Sequence, residues 1–286
     1  MLTILFDGVA FGMLLFVLAC GLAVTLGLMN FVNLAHGAFA MAGGYLTVIL
    51  TGRFGVSFFV CLAAALLVTA TLGVVLERLL YRHLYARSHL DQVLFSIGLV
   101  FMATAAVDYF MGAQQQILQL PPALQGRFEV LGASIGIYRL FIIVICALIV
   151  VSIQLAITRT RFGSQLRAAV DDRRVARGLG IPVGRVFTIT FAVGSGLAGL
   201  GGALGADMLT LDPTFPVKFM IYFLIVVTVG GTSGMTGPFL ASLILGVADV
   251  AGKYWLPQVG AFIIYFVTVA LLLWRPYGLV SREGGR

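Results

Sequence analysis

The chain has 286 residues, of which 60% are apolar, 12% aromatic and only 10% charged, with 35 glycines besides; its mean hydropathy is +1.08. Soluble domains run at about 45–50% apolar even with glycine counted, and about 25% charged. A water-soluble enzyme, a nucleic-acid binder, a disordered chain and a disulfide-stapled scaffold are therefore excluded. At about 20 residues per span the apolar content supplies roughly eight membrane helices.

In chain order, apolar stretches fall at about 8–28, 36–51, 57–77, 93–112, 139–157, 186–206, 218–232, 238–252 and 258–274. They predict an all-α, polytopic transmembrane helical bundle of eight or nine spans, with at least one broken or re-entrant helix. The eight-span count makes the short second stretch re-entrant. The longest polar intervals, 113–138 and 158–185, leave no room for a soluble domain, so residues 1–286 form one membrane domain. Val17-Leu18-Ala19-Cys20 looks like a lipoprotein cleavage box, but Met1 to Phe16 contain no Lys or Arg, so no cleaved signal is expected. Cys20, Cys61 and Cys146 each lie inside an apolar run, which argues against a disulfide or metal role.

The first interruption, Gly27-Leu28-Met29-Asn30-Phe31-Val32-Asn33-Leu34-Ala35-His36-Gly37, puts two Asn and a His at mid-membrane depth. Asn is a strong N-cap, so one helix is expected to end near Gly27 and another to start near Asn33. Broken helices are tolerated only where the backbone is buried in protein or lines a polar cavity. Asn30, Asn33, His36 and Gly37 are thus candidates for a transport pathway, the alternative being a tight turn between helices. Gly230 to Pro238 is a second interruption open to the same two readings. Pairs of small residues four apart, Gly8/Gly12, Ser195/Gly199, Gly201/Gly205 and Gly230/Gly234, suit close helix packing in lipid.

Cations set the expected orientation. Arg78, Arg82 and Arg87 share one connection. Arg159, Arg161, Arg167, Arg173, Arg174, Arg177 and Arg185 share another, and Arg275, Arg282 and Arg286 the tail. Together they hold thirteen of the 18 cations, which places 78–91, 158–185 and the C-terminus in the cytoplasm. Trp255 and Trp274 fall near span ends, as interfacial aromatics should. Asp7, Glu77, Asp108 and Asp207 also map near span ends, where water or neighbouring Arg can solvate them. Asp249 sits deeper, four residues before Lys253, which predicts a helical ion pair and no proton relay.

Enzyme motifs are missing. His36, His83 and His89 have no metal-ligand spacing, Gly194-Ser195-Gly196 lies in a glycine-rich apolar helix, and neither Lys218 nor Lys253 completes a phosphate-binding loop. The segment from Arg161 to Pro182 is too charged to span yet reads as an amphipathic helix. Leu166, Ala169, Val170 and Ala176 share one face and Arg167, Asp171 and Arg174 another, with Gly180 before Ile181-Pro182 as a stop. Such a helix either lies on anionic lipid or docks a cytoplasmic motor.

This segment resembles the coupling segment of the branched-chain amino acid ABC importer permeases, the LivH/LivM family, with its pattern R-F-G-x-x-L-R-A-x-x-x-D-x-x-x-A-x-x-x-G-I. Arg161, Phe162, Gly163, Leu166, Arg167, Ala168, Asp172, Ala176, Gly180 and Ile181 match it. The resemblance continues at Gly27-Leu28, at Asn33 to Gly37 and at Phe191 to Gly199, and the length is similar to LivH-type members. Arg173, Arg174 and Arg177 make the segment more basic than the pattern. The resemblance implies a non-catalytic permease subunit in a bacterial inner membrane that binds no cofactor, with ATP and Mg held by partners. Those partners are a second, LivM-type permease, two cytoplasmic ATPase subunits, a periplasmic substrate-binding protein and membrane lipid. It assigns coupling to Phe162, Gly163, Leu166, Arg167, Asp172, Ala176, Gly180 and Ile181 (segment about 159–182), with Ala176 and Gly180 as small contacts for the ATPase. Family members serve branched-chain amino acids, amides, urea and aromatic acids. A secondary transporter with broken helices and a membrane enzyme or scaffold are the rival readings.

Overall fold

A computed structural model of the chain describes residues 1–29, 31–85, 87–130, 133–231 and 234–280. Among these, nine helices of 15 residues or more follow the nine apolar stretches: α1 (Leu2–Met29), α2 (His36–Phe54), α3 (Phe58–Leu79), α4 (His89–Met111), α5 (Ile137–Arg159), α8 (Val183–Gly205), α9 (Phe215–Gly230), α10 (Thr236–Trp255) and α11 (Gly260–Trp274). Two short helices, α6 (Arg161–Asp171) and α7 (Arg173–Gly178), lie between α5 and α8. A hairpin, β1 (Arg127–Val130) and β2 (Ala133–Gly136), pairs antiparallel with Phe128 opposite Ile135. Among the described residues, this hairpin and a single bridge between Gln116 and Leu211 depart from the all-helical expectation.

Five helices, α1, α3, α4, α5 and α8, are long and apolar enough to cross a membrane, and the chain is a multi-pass helical membrane protein. α9 and α11, at 16 and 15 residues, rise only about 24 and 22 Å, short of a hydrocarbon core of about 30 Å. α1 is the central helix: 78% of its apolar window is buried, against 11% for α4 and for α5. It starts at Leu2, earlier than the stretch read from residue 8, because Asp7 is partnered by Arg139 at the head of α5 and does not interrupt the helix.

Small residues let the central helices approach closely, as expected of the four-apart pairs. A Cβ on Gly12 would sit 2.9 Å from the Leu243 Cα of α10, and one on Gly201 would press on Leu18. Gly199 and Ser195 of α8 abut Thr69 and Gly73 of α3, and Gly43 of α2 abuts the Gly199 backbone. Lipid offers no hydrophobic drive between helices, so this backbone-level contact supplies the packing. Gly234 departs from the pattern, with nothing within 4 Å.

The connections sort to two ends. At one end the α4–α5 connection meets the α8–α9 connection, where the Gln116 N–H donates to the Leu211 carbonyl at 2.8 Å. At the other, α7 and the start of α8 lie beside the α3–α4 connection. Trp255 and Trp274, both exposed, are the last residues of α10 and α11.

Candidate functional site: the capped corner and the buried break

The segment 159–182 folds as two helices, not the one helix read from its periodicity. Asp172 divides them. Its backbone is extended (φ −149°, ψ 106°), and its carboxylate accepts from the N–H groups of Arg174 (2.7 Å) and Val175 (3.0 Å) as the N-cap of α7. Thr160 caps α6 in the same way, accepting from the Gly163 N–H at 3.1 Å.

Each motif residue has a local duty. Gly163 sits so close to the last turn of α5 that a Cβ would collide with the Ile157 carbonyl. The Arg167 guanidinium donates to that same carbonyl, one of the orphan acceptors at the α5 C-terminus. Leu166 and Ala169 are buried in the core and Phe162 packs half-buried beside them. Gly180, at φ +81°, closes α7 in a Schellman turn: the Ile181 N–H reaches the Ala176 carbonyl and the Gly180 N–H the Arg177 carbonyl, both at 3.0 Å.

Ala176, expected to face a partner, is 1% exposed and packs into the chain's own core. Outward, α7 instead carries Val175 (57% exposed), with Leu179 (76% exposed) at its C-cap, flanked by exposed Asp171, Arg174 and Arg177. These two apolar side chains, four apart on one turn, were overlooked because periodicity marks apolar residues as inward-facing. The corner is tied to the central helix, since the Arg173 Nη2 donates to the Met29 carbonyl at the end of α1 (2.6 Å) while its guanidinium stacks 4.8 Å from the Phe187 ring centroid.

The 27–37 interruption is built the opposite way. α1 runs to Met29, and the Phe31 N–H donates back to the Thr25 carbonyl at 3.0 Å, so the chain reverses at once. The His36 Nε2–H donates to the Leu18 carbonyl at 2.8 Å. Leu18 lies 11 residues before Met29, about 16 Å of helical rise, so α2 begins well inside the bundle. Asn33 does not cap α2, whose N-cap position is Ala35. Its Oδ1 accepts from the Ala35 N–H (3.2 Å) and from the Tyr81 hydroxyl (3.0 Å). Gln92 of α4 accepts from the Val32 N–H at 3.1 Å and donates to the Leu84 carbonyl at 3.2 Å. Tyr81 is itself ringed by Phe31, Phe95 and Phe191.

Asn33, His36 and Gly37 are all buried, Gly37 against the Pro216 backbone, and none of them lines one of the three cavities described for this chain. Asn30 lies outside the described residues. Tyr81 and Gln92 complete this lock, and no spacing in the sequence links them to it. In the second interruption Gly230 and Gly237 are in direct backbone contact, and the Leu279 N–H of the tail donates to the Val229 carbonyl at 2.8 Å; residues 232 and 233 lie outside the described residues.

Of the acids read near span ends, Asp108 and Asp207 are exposed, and the others have partners. Lys253 pairs with Asp249 at 2.6 Å and Arg139 with Asp7. Glu77, by contrast, is held by the hydroxyls of Tyr85 (3.0 Å) and Thr188 (2.7 Å) rather than by an arginine.

Comparison with known proteins places this architecture. The chain is 26% identical to the high-affinity branched-chain amino acid transport system permease protein BraD of Pseudomonas aeruginosa, covering 97% of this chain and 95% of that protein. It is 26% identical to the probable branched-chain amino acid transport permease protein LivH of Methanocaldococcus jannaschii, over 97% and 92%. The match to LivM of Escherichia coli is 24% identical and covers 94% of this chain but 68% of that longer protein. No solved structure matches. The family model described as branched-chain amino acid transport system / permease component spans residues 4–272, and the chain belongs to that family as a non-catalytic membrane subunit.

Proposed function

We propose that this chain is the permease subunit of a binding-protein-dependent ABC importer that moves branched-chain or related hydrophobic amino acids inward. It pairs with a second, LivM-type permease, two cytoplasmic ATPase subunits that hold ATP and Mg, and a periplasmic substrate-binding protein. The α6–α7 end faces the cytoplasm and the hairpin end the periplasm, in line with the cation distribution. The names of the relatives support the substrate class.

The observation that carries the reading is the α7 tip, where Val175 and Leu179 stand exposed on a corner held by the motif residues Gly163, Leu166, Arg167, Asp172, Ala176 and Gly180. An exposed apolar pair beyond the membrane fits a partner groove. A push on α7 is passed through Arg173 to the end of α1 and through Val183 and Val186 to α8. Both helices are largely buried, so a displacement at the tip moves the packed centre of the bundle, and ATP-driven closure of the partners switches the access of a pathway formed between the permeases. The chain's acids support this over an ion-driven mechanism, since Asp249 and Asp7 are paired with cations and Glu77 with hydroxyls.

Reconstituted proteoliposomes test it. Leucine uptake is expected to require ATP on the α6–α7 side and the binding protein on the other. Uptake driven by a proton or sodium gradient without ATP would establish a secondary transporter instead. Single cysteines at Ser88 and Ser164 are expected to resist an impermeant thiol reagent added from outside, and those at Gln125 and Thr210 to react. All four positions are exposed.

A further inference from the structure

A cavity of about 880 Å³ opens between the end of α3, the α3–α4 connection, α7 and the start of α8, and six arginines line it: Arg78, Arg82, Arg173, Arg174, Arg177 and Arg185. The one carboxylate in its wall, Glu77, is already committed to Tyr85 and Thr188. Arg173 is spent on the Met29 carbonyl. Among the described residues the three ion pairs of the chain involve none of the six, so five guanidinium groups crowd one cleft without an anion. Guanidinium forks are suited to binding phosphate in a bidentate manner.

A second cavity of about 320 Å³ runs from this cleft along the outside of the bundle between α3 and α8. Arg78 and Thr188 belong to both. Its remaining wall is apolar, including Ala70, Val74, Ile189 and Val193. Val193 is half exposed, and the groove lies on two of the helices able to cross a membrane. The cationic cleft is therefore at the level where these spans end, and the apolar groove descends from it into the hydrocarbon depth.

We infer that the two cavities together form a site for an anionic phospholipid, with the headgroup phosphate in the arginine cleft and one acyl chain along the α3–α8 groove. A soluble acidic partner would use the cleft alone and leave the groove unexplained. The inference needs only the membrane placement of α3 and α8, so it stands or falls separately from the transport reading. Basic clefts between membrane helices at the cytoplasmic side recognise lipid headgroups by this chemistry.

The test is native mass spectrometry of the full chain in detergent with added dioleoyl phosphatidylglycerol or dioleoyl phosphatidylcholine. Phosphatidylglycerol is expected to be retained in preference to phosphatidylcholine. A cation near an anionic lipid surface is worth roughly a factor of five in affinity. The triple variant Arg78→Gln, Arg82→Gln, Arg185→Gln is therefore expected to lower phosphatidylglycerol retention at least about tenfold. Val193→Trp fills the groove without altering charge and is expected to lower it too, while inorganic phosphate fails to displace the lipid. Equal retention of the two lipids would overturn the proposal, as would retention untouched by both variants. Displacement by inorganic phosphate would reduce the cleft to a free-anion site. Loss of ATPase association in the arginine variant, with lipid retention unchanged, would assign the cleft to an acidic protein partner.

Discussion

Two polar interruptions of the apolar pattern, the α6–α7 corner and the α1–α2 break, solve the same problem in opposite ways. At the corner, local caps satisfy the backbone: Thr160, Asp172 and Gly180 close their own helix ends. The corner thereby frees a surface, the Val175 and Leu179 tip, for contact outside the chain. At the break, the partners are distant in sequence: Asn33 with Tyr81, Val32 with Gln92 and His36 with Leu18. That region is closed, and its polar groups hold α1, α2, α3 and α4 together. Polar residues between apolar runs are thus not one signal; what separates the cases is whether the helix starts carry side-chain caps, as α6 and α7 do and α2 does not.

The contrast can be broken by substitution, beginning where the backbone leaves no room. Gly163→Val at the corner drives a side chain into the Ile157 carbonyl and is expected to cost about 3 kcal/mol, the upper end for overpacking. A thermal unfolding midpoint in detergent that matches wild type would refute the close approach.

Asn33→Leu at the break comes next. It orphans the Tyr81 hydroxyl and the Ala35 N–H, both buried, and is expected to cost about 2 kcal/mol. Adding Tyr81→Phe removes one of the two orphans, so the double variant is expected to lose less than the two single losses combined. Strict additivity would show that the two residues do not interact.

Gly180→Ala tests the Schellman turn and is expected to cost about 1 kcal/mol through its left-handed backbone. The smallest effect belongs to Asp212, in the connection before α9. Burial raises its carboxyl, but hydrogen bonds from Lys218 and Thr214 outweigh that and hold it below the ordinary 3.8. A depressed carboxyl stabilises the fold above its ordinary value and loses that contribution as pH falls through the folded value. Asp212→Asn is expected to leave a slightly lower unfolding midpoint at neutral pH and to flatten its fall below pH 3.8. An unchanged acid limb would show that the Lys218 pair contributes nothing.

Much of this was legible in the sequence. The nine apolar stretches mark the nine long helices, the Asp249–Lys253 spacing gives the ion pair, and the motif around Arg161 to Ile181 locates the corner. Four features were not legible, each for a physical reason. Asp172 ends one helix and begins another, which periodicity cannot register because the apolar residues on either side stay in phase. Ala176 is small because it is buried, not because a partner approaches it, and size alone does not separate the two. Tyr81 and Gln92 reach the break across loops and helices, and only tertiary structure brings them there. The hairpin at 127–136 was missed because four-residue strands in a polar connection leave too few alternations to read.

The division of labour at the corner, with motif residues holding and the tip contacting, is decided by binding-protein-stimulated ATPase activity of the assembled complex in nanodiscs. The variant Val175→Glu, Leu179→Glu changes only exposed positions. It is expected to leave the unfolding midpoint of the chain within about 0.5 kcal/mol of wild type and to abolish the stimulation. Ala176→Glu, which buries a charge in the chain's own core, is expected to lower the midpoint itself. Full stimulation in the Val175→Glu, Leu179→Glu complex, with all subunits still co-purifying, would contradict the assignment of the α7 tip as the docking surface.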